Sequence, residues 1–320
     1  ECHAAERIIT KYRLPSDRLK TYLESYHGLA NKLGSTLVAN CASCHGAHDV
    51  LASSDPRSSV NKNNLPKTCG QCHPNAGTQL AKGTIHVAPS HLQDQAVYWV
   101  SRFYLWLIGL VLSFMVLHNL LDFMKKVRDQ KKAKRQEMRV RFSWNEKMQH
   151  RLLFITFTLL AYSGFALKYP ESKWFLPINI FVFGIDFRAV LHRIMAFLFT
   201  GLSIYHLGYL CFTRRGRAQF RAMLPSSKDA RDFIKLLKHN LGFPEERPQF
   251  AHYSYFEKVE YWALIWGSLI MIITGTLLVF NNLVMRHLPK WLLDVATAVH
   301  FYEAVLATLA ILIWHFYFVI

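Results

Sequence analysis

The sequence has almost no cysteine outside three short stretches near its beginning. Of its 6 cysteines, five lie in the stretches 1–3, 41–45 and 69–73, and only Cys211 lies elsewhere, inside an apolar run. One remaining cysteine excludes a disulfide framework. Methionine is also missing from the beginning of the chain, because the first is Met115. No methionine is therefore in a strong position to serve as a metal ligand in this early segment.

Acidic residues are few. The chain has 21 Asp and Glu against 38 Lys and Arg, a net charge of +17, and 52% hydrophobic residues. An apolar and basic chain is typical of a membrane protein with basic loops rather than of a nucleic-acid-binding protein. We therefore expect contact with membrane lipid and no nucleic-acid partner. Residues 1–95 lack long apolar runs, so we expect them to fold around bound groups that supply apolar bulk.

Two complete C-x-x-C-H motifs lie about 28 residues apart, at Cys41–His45 and Cys69–His73. This pattern is the signature of c-type haem attachment, in which two cysteines bind the haem vinyls and the histidine binds iron. Glu1-Cys2-His3 matches the end of a third motif, so we expect the protein to continue upstream and to carry at least three c haems. The predicted thioether cysteines are Cys2, Cys41, Cys44, Cys69 and Cys72, and the predicted proximal ligands are His3, His45 and His73. A zinc module is the alternative, but zinc fingers space their histidines well downstream of the cysteines.

A second histidine is expected for each c haem, since no methionine competes. The stretch 22–28 resembles the Y-x-x-S-x-H-G element of periplasmic multihaem cytochromes, and 44–49 resembles their C-H-G-x-H-D element. The resemblance implies that such extra histidines bind a haem other than their neighbour's. We predict His27, His48 and His86 as distal ligands, with His91 in reserve. Bis-histidine ligation favours low-potential haems.

Five apolar segments follow, at about 97–123, 149–168, 189–212, 258–280 and 292–320. Each is close to the roughly 20 residues that cross a hydrocarbon layer. The predicted fold is mostly α: a loop-rich multihaem c domain, then a five-span transmembrane helical bundle. We divide it into a c domain at 1–95, a tether helix at 96–124, a basic loop at 125–147 and a four-helix diheme b domain at 148–320. The last apolar run has no stop signal, so we expect the protein to continue beyond it.

Two loops carry most of the basic residues. The loop 124–147 has Lys125, Lys126, Arg128, Lys131, Lys132, Lys134, Arg135, Arg139 and Arg141, and the loop 213–257 is similarly basic. By the positive-inside rule both loops are cytoplasmic. Five spans then put the haem c domain in the periplasm of a bacterial inner membrane, the side on which haem c is attached.

Histidines inside the spans recur at matched depths. His300 and His315 lie 15 residues apart, and His192 and His206 lie 14 apart. At about 1.5 Å per residue each pair spans roughly 21–22 Å on nearly one helix face, enough for two stacked b haems. His192 and His300 would hold the periplasmic-side haem, and His315 would pair with either His150 or His206. Hydrogen bonding between helices is the alternative, and we interpret the lone His118 as a packing residue.

The sequence also resembles a known family over residues 142–320. The carrying stretches are Trp144–Arg151, Ser163-Gly164, Val190–Arg193, His300–Glu303 and Trp314-His315. They resemble the cytochrome b subunit of respiratory formate dehydrogenases and nickel–iron hydrogenases. The resemblance implies four spans, two b haems, and a quinone site beside the cytoplasmic haem. It also implies the pairs His150 with His315 and His192 with His300, which leaves His206 without a haem.

These expectations define a functional hypothesis. Fusion of a c domain to such a b bundle is similar to inner-membrane cytochromes of metal-respiring bacteria, which link menaquinol to periplasmic carriers. We expect electron transfer between menaquinone or ubiquinone and periplasmic cytochromes or a periplasmic oxidoreductase, within a larger complex and with its direction open. Ser254, Glu257 and His206 are the quinone-site candidates, although anchoring of the span entrance would also explain the first two. The alternative function is a membrane-anchor subunit of a periplasmic dehydrogenase-type or hydrogenase-type complex, with partly structural haems.

Overall fold

The computed structural model describes residues 5–12, 15–32, 38–73, 86, 95–129, 142–178, 181–182, 185–250 and 252–319. These residues are mostly helical and include five helices long and apolar enough to cross a membrane. The chain forms two compact units. One takes its residues from 1–103, 168–187 and 274–299, and the other from 104–167, 188–273 and 300–320.

The five expected spans are confirmed, with slightly wider bounds. Spans 1 to 4 are Gln95–Asp129, Trp144–Lys168, Phe187–Phe212 and Tyr255–Val279. Span 5 begins as the α-helix Lys290–Ala310, continues as a π-helical segment at Ile311–His315, and ends with Phe316–Val319. The helices include polar residues outside the apolar runs, because these residues still form the backbone hydrogen bonds of the helix.

The spans expose large apolar side chains that a soluble protein would bury. Trp106 is 79% exposed, Phe212 is 85% exposed and Trp266 is 64% exposed. Contiguous apolar surface of this kind is stable against lipid and not against water. The protein is therefore an integral membrane protein.

The described part of the first unit has short helices joined by loops. Its described elements outside the spans are the α-helices Glu6–Tyr12, Arg18–Leu23, Tyr26–Lys32, Cys41–His45, Leu65–Gly70 and Asn281–His287, the 3-10 helix Lys173–Ile178, and the antiparallel two-residue strands Phe181–Val182 and Ile185–Asp186. Met285 and Leu293 form a small buried cluster, against which Cys69 packs. The second complete cysteine motif thus lies against residues that adjoin the ends of spans 4 and 5.

In the second unit, span 1 packs closely on its neighbours. Tyr104 donates a 3.0 Å hydrogen bond to Glu303 of span 5. Asn119 donates a 2.7 Å bond to the carbonyl of Ile313, within the π-helical segment. The prediction that span 1 is a tether omits this second role, which is to support the last span.

Two short helices, Arg214–Met223 and Ser227–Asn240, connect spans 3 and 4. Ser226 and Asp229 form a capping box at the start of the second helix. Asp229 also accepts a 2.9 Å bond from Lys258 of span 4, which is nearly buried. Burial acts to raise the pKa of Asp229, but hydrogen bonds from Lys258 and Ser226 outweigh it and lower the pKa. This ion pair fixes the basic helices to the bundle.

Candidate haem-binding histidine pairs

His192 of span 3 and His300 of span 5 face each other, with ring centres 6.2 Å apart and planes inclined at 73°. The Nδ1 atom of His192 lies 3.0 Å from the hydroxyl of Ser163. That hydroxyl donates to the Leu159 carbonyl at 2.6 Å, so it is free to accept from the imidazole. A Cβ on Gly164 would lie 3.2 Å from the His192 ring, so glycine leaves room for the ring. The Ser-Gly pair of span 2 therefore fixes how His192 is oriented.

A second histidine pair lies in the same bundle, nearer the beginning of span 2 and the end of span 5. His150 of span 2 and His315 of span 5 have ring centres 6.1 Å apart and planes inclined at 35°. The Nδ1 atom of His315 lies 3.2 Å from the carboxylate of Glu260, on span 4. The sequence left His150 and His206 as alternatives beside His315, and the structure brings His150 there.

Both separations fit a haem iron held between two imidazoles. Metal–nitrogen bonds of about 2.0 Å on opposite sides of one metal put the two ring centres about 6 Å apart. The observed 6.2 Å and 6.1 Å match that value. In each pair, at least one histidine has an acceptor at Nδ1, Ser163 for His192 and Glu260 for His315, which selects the tautomer whose Nε2 can bind iron. The residues present therefore fit two bis-histidine haems.

His206 lies in a chain of polar side chains next to His150. Its Nδ1 atom is 2.7 Å from Oε1 of Gln149, and its Nε2 atom is 3.1 Å from the hydroxyl of Tyr261. Gln149 in turn donates to Asn145. A groove of about 310 Å³ opens nearby along span 3, lined by Tyr205, Gly208, Tyr209 and Thr213. Asn145 donates a 2.6 Å bond to the Tyr205 hydroxyl, so the polar chain reaches this groove.

Ser254 and Glu257 bond to each other at the start of span 4. The Glu257 carboxylate accepts from the Ser254 backbone N–H at 2.8 Å and from its hydroxyl at 2.7 Å. This pattern resembles a capping box, which satisfies the free backbone donors of a helix start. Both quinone-site candidates thus have a local structural role.

In the first unit, the C-x-x-C-H motif at Cys41–His45 forms a short helix. Asn40 caps it by accepting from the backbone N–H of Ser43 at 3.0 Å. Ser59 donates a 2.6 Å bond to the Cys44 carbonyl. Capping and the loop contact fix the two cysteine side chains on one short turn, as attachment to one haem requires.

The Y-x-x-S-x-H-G stretch is a compact support for His27. The Ser25 hydroxyl donates to the Tyr22 carbonyl at 2.6 Å, and the Gly28 N–H donates back to that hydroxyl at 3.2 Å. A Cβ on Gly28 would lie 2.0 Å from the Tyr22 carbonyl oxygen, so only glycine fits. The motif therefore encodes a local backbone shape rather than a set of ligands alone.

His27 lies against His73, the proximal ligand predicted for the motif at Cys69–His73. Their ring centres are 6.0 Å apart, close to the 6.2 Å and 6.1 Å of the membrane pairs. His73 Nδ1 lies 3.2 Å from Oδ1 of Asn282. Burial, and then the neighbouring His73, lower the pKa of His27, which keeps it neutral as iron ligation requires.

The other predicted c-haem ligands are placed less completely. The Nδ1 atom of His86 lies 3.1 Å from the Thr21 hydroxyl. Burial, and then the charges of Arg18 and His45, lower the pKa of His86. His86 is therefore near His45, the histidine of the first complete motif. His48 is exposed. Cys2, His3 and His91 lie outside the described residues.

His118, interpreted as a packing residue, is buried among aromatic rings and lies 2.6 Å from the Tyr255 hydroxyl, which agrees with that interpretation. Sequence reasoning missed Glu260, which lies beside His315. A carboxylate inside an apolar segment next to a ligand-bearing helix was the available signal.

Comparison with known proteins shows which family the chain is similar to. The family model described as prokaryotic cytochrome b561 matches residues 141–320, which include all four membrane histidines of the two pairs. A search of the curated proteins found no match. The cytochrome b part of the predicted resemblance is confirmed, and with it haem b and electron transfer across the membrane. The chain belongs to the prokaryotic cytochrome b561 family.

Proposed function

We propose that the protein carries electrons between the membrane quinone pool and periplasmic redox partners, through two b haems and at least three c haems. The observation that carries this proposal is the repeated separation of about 6 Å within three histidine pairs: His192 with His300, His150 with His315, and His27 with His73. Each pair consists of two histidines, and two imidazoles at this separation leave room for one iron between them.

The b haems would be held at two depths of the same bundle. His300 and His315 lie on span 5, separated by roughly 22 Å along the helix. When bound, each haem supplies a one-electron iron couple. The residues orient the imidazoles: Ser163 holds His192, and Glu260 holds His315. Family membership supports this assignment.

The c haem at Cys69–His73 is the best candidate for receiving electrons from the membrane. Cys69 packs on the cluster of Met285 and Leu293, and His73 contacts Asn282. Asn282 and Met285 lie between spans 4 and 5, and Leu293 lies at the beginning of span 5, the span that also carries His300. His27 would be its distal ligand, and His86 would serve the haem of His45.

Quinone would bind beside His150. Its reduction or oxidation moves two protons with two electrons, so a titratable group within reach is useful. His206 has that chemistry, and its neighbours Gln149, Tyr261 and Asn145 form a hydrogen-bonded chain reaching the groove on span 3. Ser254 and Glu257 stay as a second candidate, with their mutual cap as the competing role. The quinone species, menaquinone or ubiquinone, is open.

Orientation follows from charge. The basic helices between spans 3 and 4 would face the cytoplasm. The haem c domain would then lie in the periplasm, where cytochromes or a periplasmic oxidoreductase can reach it. A role as a membrane-anchor subunit is the alternative.

One experiment separates these two functions. Membranes containing the protein are given a reduced menaquinone analogue, and the c-haem absorbance is followed. Reduction of the c haems, abolished in His315→Ala, supports the electron conduit. C haems that stay oxidised, while dithionite reduces them fully, contradict the conduit and favour the anchor.

A further inference from the structure

The two membrane histidine pairs differ in the partner of an Nδ1 atom. At His315 the partner is a carboxylate, Oε2 of Glu260, at 3.2 Å. At His192 the partner is a hydroxyl, that of Ser163, at 3.0 Å. One ligand therefore bonds to an acidic group and the other to a neutral one.

Burying the carboxylate of Glu260 in a membrane span is unfavourable unless a partner stabilises it. Its side chain is only 26% exposed, and Oε1 is buried without a hydrogen-bond partner among the described residues. Carboxylates in membrane spans are rare and usually pair with functional groups. Its partner in the described part of the chain is His315, so the cost is explained if the carboxylate acts on that histidine.

A carboxylate that accepts from Nδ1–H makes the other ring nitrogen a stronger base. A more electron-donating ligand stabilises oxidised iron more than reduced iron, and hydrogen bonding around the ligands is one of the ways a protein sets a haem potential. A neutral hydroxyl that is already bonded to a backbone carbonyl has a weaker effect. The difference in partner therefore lowers one haem potential relative to the other.

We propose that Glu260 is a positioning residue that lowers the potential of the haem at His150 and His315 below that of the haem at His192 and His300. This inference rests on the proposed function. It also bears on the direction of electron flow, which the sequence left open. A low-potential haem beside the quinone site and a higher-potential haem further out favour flow outward, in which quinol gives up two electrons and two protons, and the electrons leave singly to the c haems.

The test is a redox titration of the purified whole protein, following the b-haem absorbance in the native form and in Glu260→Gln. Glutamine keeps the size and the acceptor but removes the charge. We expect the midpoint potential of the haem at His150 and His315 to rise. We expect the midpoint potential of the haem at His192 and His300 to stay unchanged. Glu260→Asp, which keeps the charge, is expected to retain a midpoint below that of the glutamine variant.

Glu303→Gln is the matched control. It removes a carboxylate from span 5 that accepts a hydrogen bond from Tyr104. It is expected to leave the midpoint potential of the haem at His150 and His315 unchanged. A second measurement does not depend on Glu260 variants: His315→Ala is expected to leave only the higher-potential b haem, and His300→Ala only the lower one. The reverse assignment overturns the inference.

The number of b haems distinguishes a failure of the proposed function from a failure of the role of Glu260. Fewer than two b haems in the native protein contradicts the proposed function itself. Two b haems whose midpoints do not move in Glu260→Gln contradict only the role of Glu260.

Discussion

His27 and His73 lie next to each other, with ring centres 6.0 Å apart and ring planes inclined at 42°, although they come from different parts of the loop-rich unit. One belongs to the Y-x-x-S-x-H-G stretch and the other ends a cysteine motif. The sequence predicted both as haem ligands but did not predict that they share a haem. Their closeness supports the proposal that His27 is the distal ligand of a haem bound at Cys69–His73.

The support of His27 gives a first prediction. Gly28→Ala would put a Cβ 2.0 Å from the Tyr22 carbonyl oxygen, so the turn must open and His27 must move. We expect one c haem to lose its low-spin absorption and EPR signature while the thioether links remain. Gly109→Ala is the control, since nothing lies within 4 Å of its Cβ. An unchanged low-spin signal in Gly28→Ala contradicts the pairing.

The π-helical segment gives a second prediction. Asn119 is buried and donates a 2.7 Å bond to the Ile313 carbonyl. Asn119→Leu removes that donor, at a cost of about 1 kcal/mol in stability, and His315 loses its fixed orientation. We expect a changed EPR signal for one b haem, with the other b haem unaffected. Thr308→Val is the control because, among the described residues, the Thr308 hydroxyl bonds to Ala304 of its own helix. An equal change in the EPR signal of Thr308→Val would contradict the role of Asn119.

The quinone site gives a third. His206→Leu keeps the bulk but removes proton exchange, and general acid–base groups contribute about 10²-fold or more to rates. We expect quinol-driven reduction of the haems to slow by about that factor, with both b haems retained. In Glu257→Gln the cap with Ser254 is kept, and we expect nearly native turnover and quinone-analogue affinity. Loss of turnover in the glutamine variant alone would move the quinone site to the start of span 4.

The ion pair of Asp229 and Lys258 gives a prediction on pH. The folded-state pKa of Asp229 is lowered, so its contribution is fully present above the unfolded value of about 4 and is lost as pH falls through the folded pKa. Asp229→Asn leaves Lys258 buried without its charge partner, at a cost of about 1–3 kcal/mol. We expect a lower melting temperature at pH 7 in detergent, with the gap from the native protein narrowing below about pH 4. A constant gap at all pH values would contradict this account.

Much of the membrane part could be predicted from the sequence because its signals are local. Apolar length gave the five spans, and the spacing of His300 and His315 gave two depths. The choice between His150 and His206 beside His315 was different, because it depends on how the helices are rotated. The π-helical segment turns the chain less per residue than an α-helix, which reduces the roughly 60° offset between His300 and His315. No residue type marks such a segment in advance.

The polar partners were the hardest to predict. Glu260 and Asn119 act across helices, through contacts between residues far apart in sequence. Ser254 and Glu257 match a capping pattern as well as a quinone site, because the same polar types serve both. In the first unit, the resemblance identified His27, whereas the close contact at Gly28 that explains the motif needs three-dimensional coordinates.

The most direct test is a pyridine haemochrome count on the purified protein, which measures b and c haems separately. The account predicts two b haems in the native chain, one in His300→Ala, one in His315→Ala, and two in His206→Leu. Two b haems that persist in both alanine variants, or none in the native protein, would contradict the claim that these histidine pairs hold the haems.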